Sequence, residues 1–162
     1  MATHTATISW SAGAADFASG RYSRGHVWRF DGGVEVAASS SPSVVPLPLS
    51  VEAAVDPEEA FVAALSSCHM LWFLFLAAEA GWVVTGYEDR VEGRMGRNPE
   101  GRLAMLEVVL APDLRFHGAS PSAAEIDALH HAAHDRCILA NSVTTEVRVE
   151  THSTTTDRSR LV

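Results

Sequence analysis

The chain has 162 residues, of which 47% are hydrophobic and 20% charged, and its formal net charge is −8. That size and composition fit one globular domain with its own core and no need of disulfide staples. The acidic balance argues against partners with phosphate backbones or anionic membrane surfaces, so nucleic acid and membrane are excluded as partners.

The first residues, Met-Ala-Thr-His-Thr-Ala-Thr-Ile, carry neither a basic region nor an apolar stretch of the secretory kind. Cys68 and Cys137 are therefore read in a reducing cytoplasm, where a transient catalytic disulfide is allowed and a permanent structural one is not expected. Residues 4–10 alternate and end on Trp10, which predicts a strand. Residues 26–38 contain Asp31-Gly32-Gly33 between alternating segments, a hairpin signal. Residues 39–55 are rich in Ser and Pro and predict a long surface loop.

Asp56-Pro57-Glu58-Glu59 then opens a helix. Asp56 suits the N-cap, Pro57 the first helical position and Glu59 the capping box. The segment from Ala60 to Ala78 is the most apolar in the chain, and Gly81 closes it. Its length is that of a membrane span, but Asp56, Glu58, Glu59 and Glu79 flank it, no Lys or Arg lies close by, and His69 and two serines interrupt it. A helix apolar on all sides must still be buried, and one small domain can barely surround it. A second copy of the chain is the expected cover.

Residues 82–95 and 102–111 predict two strands around the turn at Arg97-Asn98-Pro99-Glu100-Gly101. Ser120-Pro121 starts a second helix, with Ile126, Leu129, Ala133 and Cys137 near one face. Residues 143–151 alternate as a final strand, and the polar tail 153–162 is expected to be disordered. The predicted order is βββ-α-ββ-α-β, an α+β fold in a single domain over 1–152.

Cys68 is the strongest chemical candidate. A buried thiol is commonly inert packing. With a second, distant thiol and an apolar surround it also fits a redox centre for an apolar oxidant. Peroxide reduction needs a thiolate, apolar burial disfavours that charge, and a fixed arginine is the best offset. Ser66 and Ser67, immediately before Cys68, either cap a new helix there or bond back to preceding carbonyls within one continuous helix. The residues alone favour the continuous helix.

Phe61, Leu65, Met70, Trp72 and Phe73 are candidates for a substrate pocket, for the core, or for both. His130 and His134 share a helix face, and with Cys137 they have a spacing that can converge on a metal. His69 adjoins Cys68, but adjacent helical residues point about 100° apart, which favours a packing role.

Asp56-Pro-Glu-Glu-Ala-Phe-Val-Ala-Ala-Leu-Ser-Ser-Cys-His69 resembles the Asn-Pro-Glu-Glu-Leu…Ala-Ala…Cys motif of the OsmC/Ohr family of thiol peroxidases. Ala80-Gly81 and His130-His131-Ala-Ala-His134-Asp-Arg-Cys137 are similar to the family too, although Ile138 stands where the family commonly has Pro. The resemblance implies an intertwined homodimer with a buried central helix and active sites at the interface. It implies reduction of organic hydroperoxides, with a dithiol reductant of the lipoyl type, and no metal or organic cofactor. Cys68 matches the peroxidatic cysteine, Cys137 the resolving cysteine, and Glu58 the carboxylate that orients a catalytic arginine. Tyr22-Ser-Arg24-Gly25-His26 resembles the setting of that arginine, with Arg21 beside Gly20 as the second choice. Glu58 and Cys68 are ten residues apart, about 15 Å along an unbroken helix, so the resemblance favours a helix break near Ser66. Two alternatives stand beside the enzyme: a non-catalytic OsmC-like dimer that binds an apolar small molecule, and a metal-binding module at His130, His134 and Cys137.

Overall fold

The computed structural model describes residues 2–13, 16–151 and 155–157. The chain divides into two compact units, residues 1–60 and 61–162.

In the first unit, β1 (Ala6–Ser9), β2 (His26–Phe30) and β3 (Glu35–Ala38) form an antiparallel sheet in the order β1-β2-β3. The Asp31-Gly32-Gly33 turn joins β2 to β3 as expected, and Gly33 has the positive φ that such a turn requires. The loop after β3 is fastened to it. Ser39 N–H donates to Val55 O and Val55 N–H to Ala37 O, each at 3.0 Å, while Val51 N–H donates to the Ser39 hydroxyl at 2.9 Å.

Helix α1 (Pro57–Glu79) is continuous. Its start is the capping box foreseen from sequence: Glu59 N–H donates to Asp56 Oδ1 at 2.7 Å, and Asp56 N–H donates to Glu59 Oε2 at 3.1 Å. Its end is set by Gly81, in the left-handed region at φ 82°, with Trp82 N–H bonded back to Ala77 O at 2.9 Å.

In the second unit, β4 (Val84–Asp89), β7 (Pro112–His117) and β9 (Thr155–Asp157) form one sheet in the order β4-β7-β9. β5 (Glu92–Arg97), β6 (Leu103–Leu110) and β8 (Glu146–Val149) form another in the order β5-β6-β8. The pairs β4-β7 and β5-β6 are antiparallel, and β6-β8 and β7-β9 are parallel. Helix α2 (Ala123–Arg136) begins at Ser122, two residues beyond the predicted start, because Ser122 and Glu125 form its capping box. The α+β class is as predicted. The strand expected over 82–95 is split into β4 and β5, the one expected over 102–111 is β6, and β7 lies beyond the expected bounds, so four strands lie between the helices. The split at Arg90-Val91 separates two segments whose partners lie in different sheets. Of the expected polar tail, Thr155–Asp157 form β9, and 153–154 and 158–162 lie outside the described residues.

Two apolar clusters make up the core of this unit. Phe73, Leu76 and Ala77 of α1 pack with Leu114 and Phe116 of β7 and with Ile126 and Ala133 of α2. Leu65 packs with Val108 and Leu110 of β6, with Phe61, Val62 and Met105 around them. Fully burying one such side chain contributes about 1.5–3 kcal/mol.

Candidate active site at the seam of the two helices

The two cysteines meet where α1 faces α2. Both are free thiols, Cys68 half-buried and Cys137 buried. Cys68 projects from mid-α1, and Cys137 is the residue that ends α2, its N–H bonded to His134 O at 3.1 Å. Burial first, then the nearby Cys68 side chain, pushes the Cys137 thiol up to about 11. The N–H of Ala140 donates to Cys137 Sγ at 3.4 Å and acts in the opposite direction, as does the N–H of Leu139.

Beside the cysteines the same seam holds a histidine pair. His69 Nε2 and His130 Nδ1 are 2.9 Å apart, and the rings stack with centroids at 5.2 Å. Phe73 stacks on His130 at 4.4 Å, and Arg136 lies 5.7 Å over the Trp72 ring. Burial first, then the charge of His134, lowers His69 to about 4. Burial, then the charges of His69 and His131, lowers His130 to about 3. Both imidazoles are therefore neutral near pH 7. His69 Nδ1 and His130 Nε2, the outer ends of the pair, are buried without a hydrogen-bond partner. His130 also lines a cavity of about 320 Å³ with Asp127, His131, His134 and Arg148.

α1 does not break at Ser66-Ser67. The Ser66 hydroxyl donates to the Asp89 carboxylate, whose other oxygen accepts the Ala111 N–H at 2.7 Å. Ser66 thus reaches sideways to β4, and the ladder of α1 runs on through Cys68. The short path from Glu58 to Cys68 that a break would have given is absent.

In the first unit, the Arg24 guanidinium donates to the carbonyl oxygens of Gly20 and Tyr22 and lies 3.8 Å over the Tyr22 ring. Glu58 Oε2 is buried without a hydrogen-bond partner, and the Arg24 guanidinium donates to those carbonyls rather than to Glu58. Arg24 lines a cavity of about 500 Å³ with Ile8, Trp10, Phe17, Tyr22, His26, Ser40 and Pro57. Sequence reasoning missed this cavity. Its signal was the aromatic spacing of Trp10, Phe17 and Tyr22, whose rings lie 4.6–5.7 Å apart.

The residues expected to form a pocket, the core, or both are Phe61, Leu65, Met70, Trp72 and Phe73. Leu65 and Phe73 are core residues at 2% and 0% exposure, and Phe61 and Trp72 pack against the two core clusters. Met70 is half-buried, and none of the five lines either cavity described above. The metal module at His130, His134 and Cys137 also fails on geometry. His130 pairs with His69 and Cys137 with Cys68, and among the described residues no three His, Cys, Asp or Glu side chains gather as a metal site.

A family description, OsmC-like protein, matches residues 50–152. Among solved structures, an OsmC-like protein of unknown function from Vibrio cholerae is 49% identical, with a TM-score of 0.92 over 94% of this chain and 100% of that one. An organic hydroperoxide resistance protein from Elizabethkingia anophelis is 18% identical, with a TM-score of 0.68 over 98% of each chain. An organic hydroperoxide resistance protein from Bacillus subtilis is 15% identical, with a TM-score of 0.61 over 93% of this chain and 98% of that one. No curated protein matches the chain. The family match takes in Cys68, Cys137 and both helices that carry them, and the chain belongs to the OsmC-like family.

Proposed function

We propose that this protein is a thiol-dependent peroxidase that reduces organic hydroperoxides in the cytoplasm. What supports it is the proximity of two free cysteines from different helices, one half-buried and one buried, with Cys68 close enough to raise the Cys137 thiol. A nucleophilic sulfur and a second sulfur already close by are what a peroxide-reducing dithiol needs. Cys68, the more accessible, attacks the peroxide O–O bond as a thiolate, giving a sulfenic acid and an alcohol. Cys137 then attacks the Cys68 sulfur, expelling the oxygen as water and forming the disulfide, which an external dithiol reduces. Arg24 is assigned as the cation that supports the developing charge, and Glu58 as its orienting carboxylate. Those two roles rest on the resemblance of their sequence settings.

The apolar surround of Cys68 favours alkyl hydroperoxides over hydrogen peroxide. We also propose a homodimer. α1 is long and apolar enough to cross a membrane, yet only 33% of its most apolar window is buried within the chain. Leu71 and Phe75 stand exposed one helical turn apart at 61% and 50%. A second copy is the cover, since the flanking residues Asp56, Glu58, Glu59 and Glu79 suit water rather than lipid headgroups.

The test is steady-state turnover of cumene hydroperoxide with a dithiol, beside hydrogen peroxide. Turnover with a clear preference for the organic peroxide supports the enzyme. Binding of the apolar alcohol without turnover would favour a non-catalytic binding protein.

A further inference from the structure

The cavity of about 320 Å³ that His130 lines is walled by α2 on one side and by β8 with the residues after it on the other. Neither cysteine lines it. Its volume is at the lower end for ligand pockets, so it suits a small molecule.

His130 brings a buried polar atom to this cavity. The residue is 3% exposed, its Nδ1 lies 2.9 Å from His69 Nε2, and Phe73 stacks on its ring. Nε2 is the polar atom left, and it is buried without a protein partner. Its character follows from the pair. One hydrogen lies between the two neutral rings. If it sat on His130, His69 Nδ1 would be a buried N–H with nothing to donate to, and orphaned buried N–H groups are the rarer case. With the hydrogen on His69 Nε2, the buried remainder is a lone pair, and His130 carries its own hydrogen on Nε2. His130 therefore offers the cavity a donor.

The two walls differ in kind. On α2, His131 Nδ1 donates to the backbone oxygen of Asp127 at 2.8 Å, so the neutral His131 ring has its lone pair at Nε2. Asp127, one helical turn earlier, adds a carboxylate that among the described residues has no hydrogen-bond or ion-pair partner. On β8, Arg148 Nε donates to Glu107 at 2.6 Å and Nη1 to Glu150 at 3.5 Å, which leaves Nη2. Val147 and Val149 beside it are half-buried apolar surface. The helix wall thus accepts, while the strand wall and His130 donate.

We propose that this cavity binds a small zwitterion, a free amino acid with a short apolar side chain. Its ammonium meets the Asp127 carboxylate and His131 Nε2. Its carboxylate meets Arg148 Nη2 and His130 Nε2, and its side chain lies on Val147 and Val149. A plain anion would face Asp127 and a plain cation would face Arg148, whereas a molecule with both charges satisfies each wall. The site stands whether or not the thiols turn over peroxide.

The test is an NMR titration of reduced, nitrogen-15-labelled protein at pH 7.5 with three probes: L-valine, isobutylamine and isovalerate. The two fragments keep the branched stem of valine and lack its carboxylate or its ammonium. Valine is expected to shift the ring nitrogens of His130 and His131 saturably, and to bind at least about tenfold more tightly than either fragment. Asp127 is exposed, so Asp127→Asn leaves the fold intact. That variant is expected to bind valine about tenfold more weakly and isovalerate no more weakly than wild type. The absence of a saturable shift with valine, a fragment that binds as tightly as valine, or unchanged valine binding by Asp127→Asn would each overturn the proposal.

Discussion

Cys68 stands close enough to Cys137 to raise its thiol although one lies in the middle of α1 and the other ends α2. Each sulfur is placed by its own helix, and the buried packing of Phe73, Ile126 and Ala133 holds those helices together. The proximity is therefore a property of the folded core.

The two cysteines are expected to fail differently. Cys68→Ser should reduce hydroperoxide turnover to background. Cys137→Ser should keep one stoichiometric reaction, leave a sulfenic acid that a dimedone-type probe traps by mass, and lose efficient cycling with dithiol. Wild-type turnover by Cys68→Ser would exclude Cys68 as the nucleophile.

The buried histidine pair predicts acid lability. His69 and His130 are lowered to about 4 and about 3. Above the ordinary value of about 6.5 both are neutral in folded and unfolded chains, and no stability is lost. Below it the unfolded chain takes up protons that the folded chain refuses, so stability falls as pH drops from about 6.5 toward 3. By pH 5 the loss is on the order of 2 kcal/mol per histidine. Urea midpoints at pH 7.5 and 5 measure it. The double variant His69→Leu with His130→Leu should flatten the dependence, and an unchanged slope would show that other groups set it.

Phe73 separates core from pocket. At 0% exposure it packs on Leu114, Phe116 and His130. Phe73→Ala should cost about 3–5 kcal/mol of unfolding free energy. A pocket wall would instead change the Michaelis constant with little loss of stability. Chemical denaturation beside steady-state kinetics distinguishes the two.

Leu71 and Phe75 test the dimer. Sedimentation of wild type at micromolar concentration should show two copies, and Leu71→Glu with Phe75→Glu should shift the protein to monomer or aggregate. A folded wild-type monomer would remove the reason offered here for the exposed face of α1.

Arg24 is held by the carbonyls of Gly20 and Tyr22, whereas the Arg21 side chain is exposed. If Arg24 supplies the catalytic cation, Arg24→Ala should slow Cys68 oxidation by about 10²-fold, and Arg21→Ala should change it little. Stopped-flow oxidation rates decide between them, and a wild-type rate in Arg24→Ala would reject the assignment.

Much of the fold was legible because its signals are local. Asp56, Pro57 and Glu59 mark the start of α1 by side chains that bond to the first turn, and Gly81 marks its end by a backbone conformation that other residues avoid. The Asp31-Gly32-Gly33 hairpin was readable for the same reason. The strand split at Arg90-Val91 was not, since both halves read as extended chain and only their partners differ. In the site, two thiols in one chain made a pair easy to suspect. The His69 and His130 contact joins residues far apart in sequence, and periodicity within either helix carries no trace of it. The Ser66 hydroxyl likewise finds its partner in Asp89, a distant acceptor that the helix's own sequence does not show. Leu65 and Phe73 read either as core or as pocket from sequence because core and ligand walls use the same residue types.

The most direct measurement mixes reduced protein with one equivalent of cumene hydroperoxide, counts free thiols with time, and maps the product by peptide mass. The account predicts rapid loss of two thiols per chain and a disulfide between Cys68 and Cys137 within one chain, with hydrogen peroxide reacting more slowly. Both thiols remaining free after the organic peroxide has been offered would contradict it.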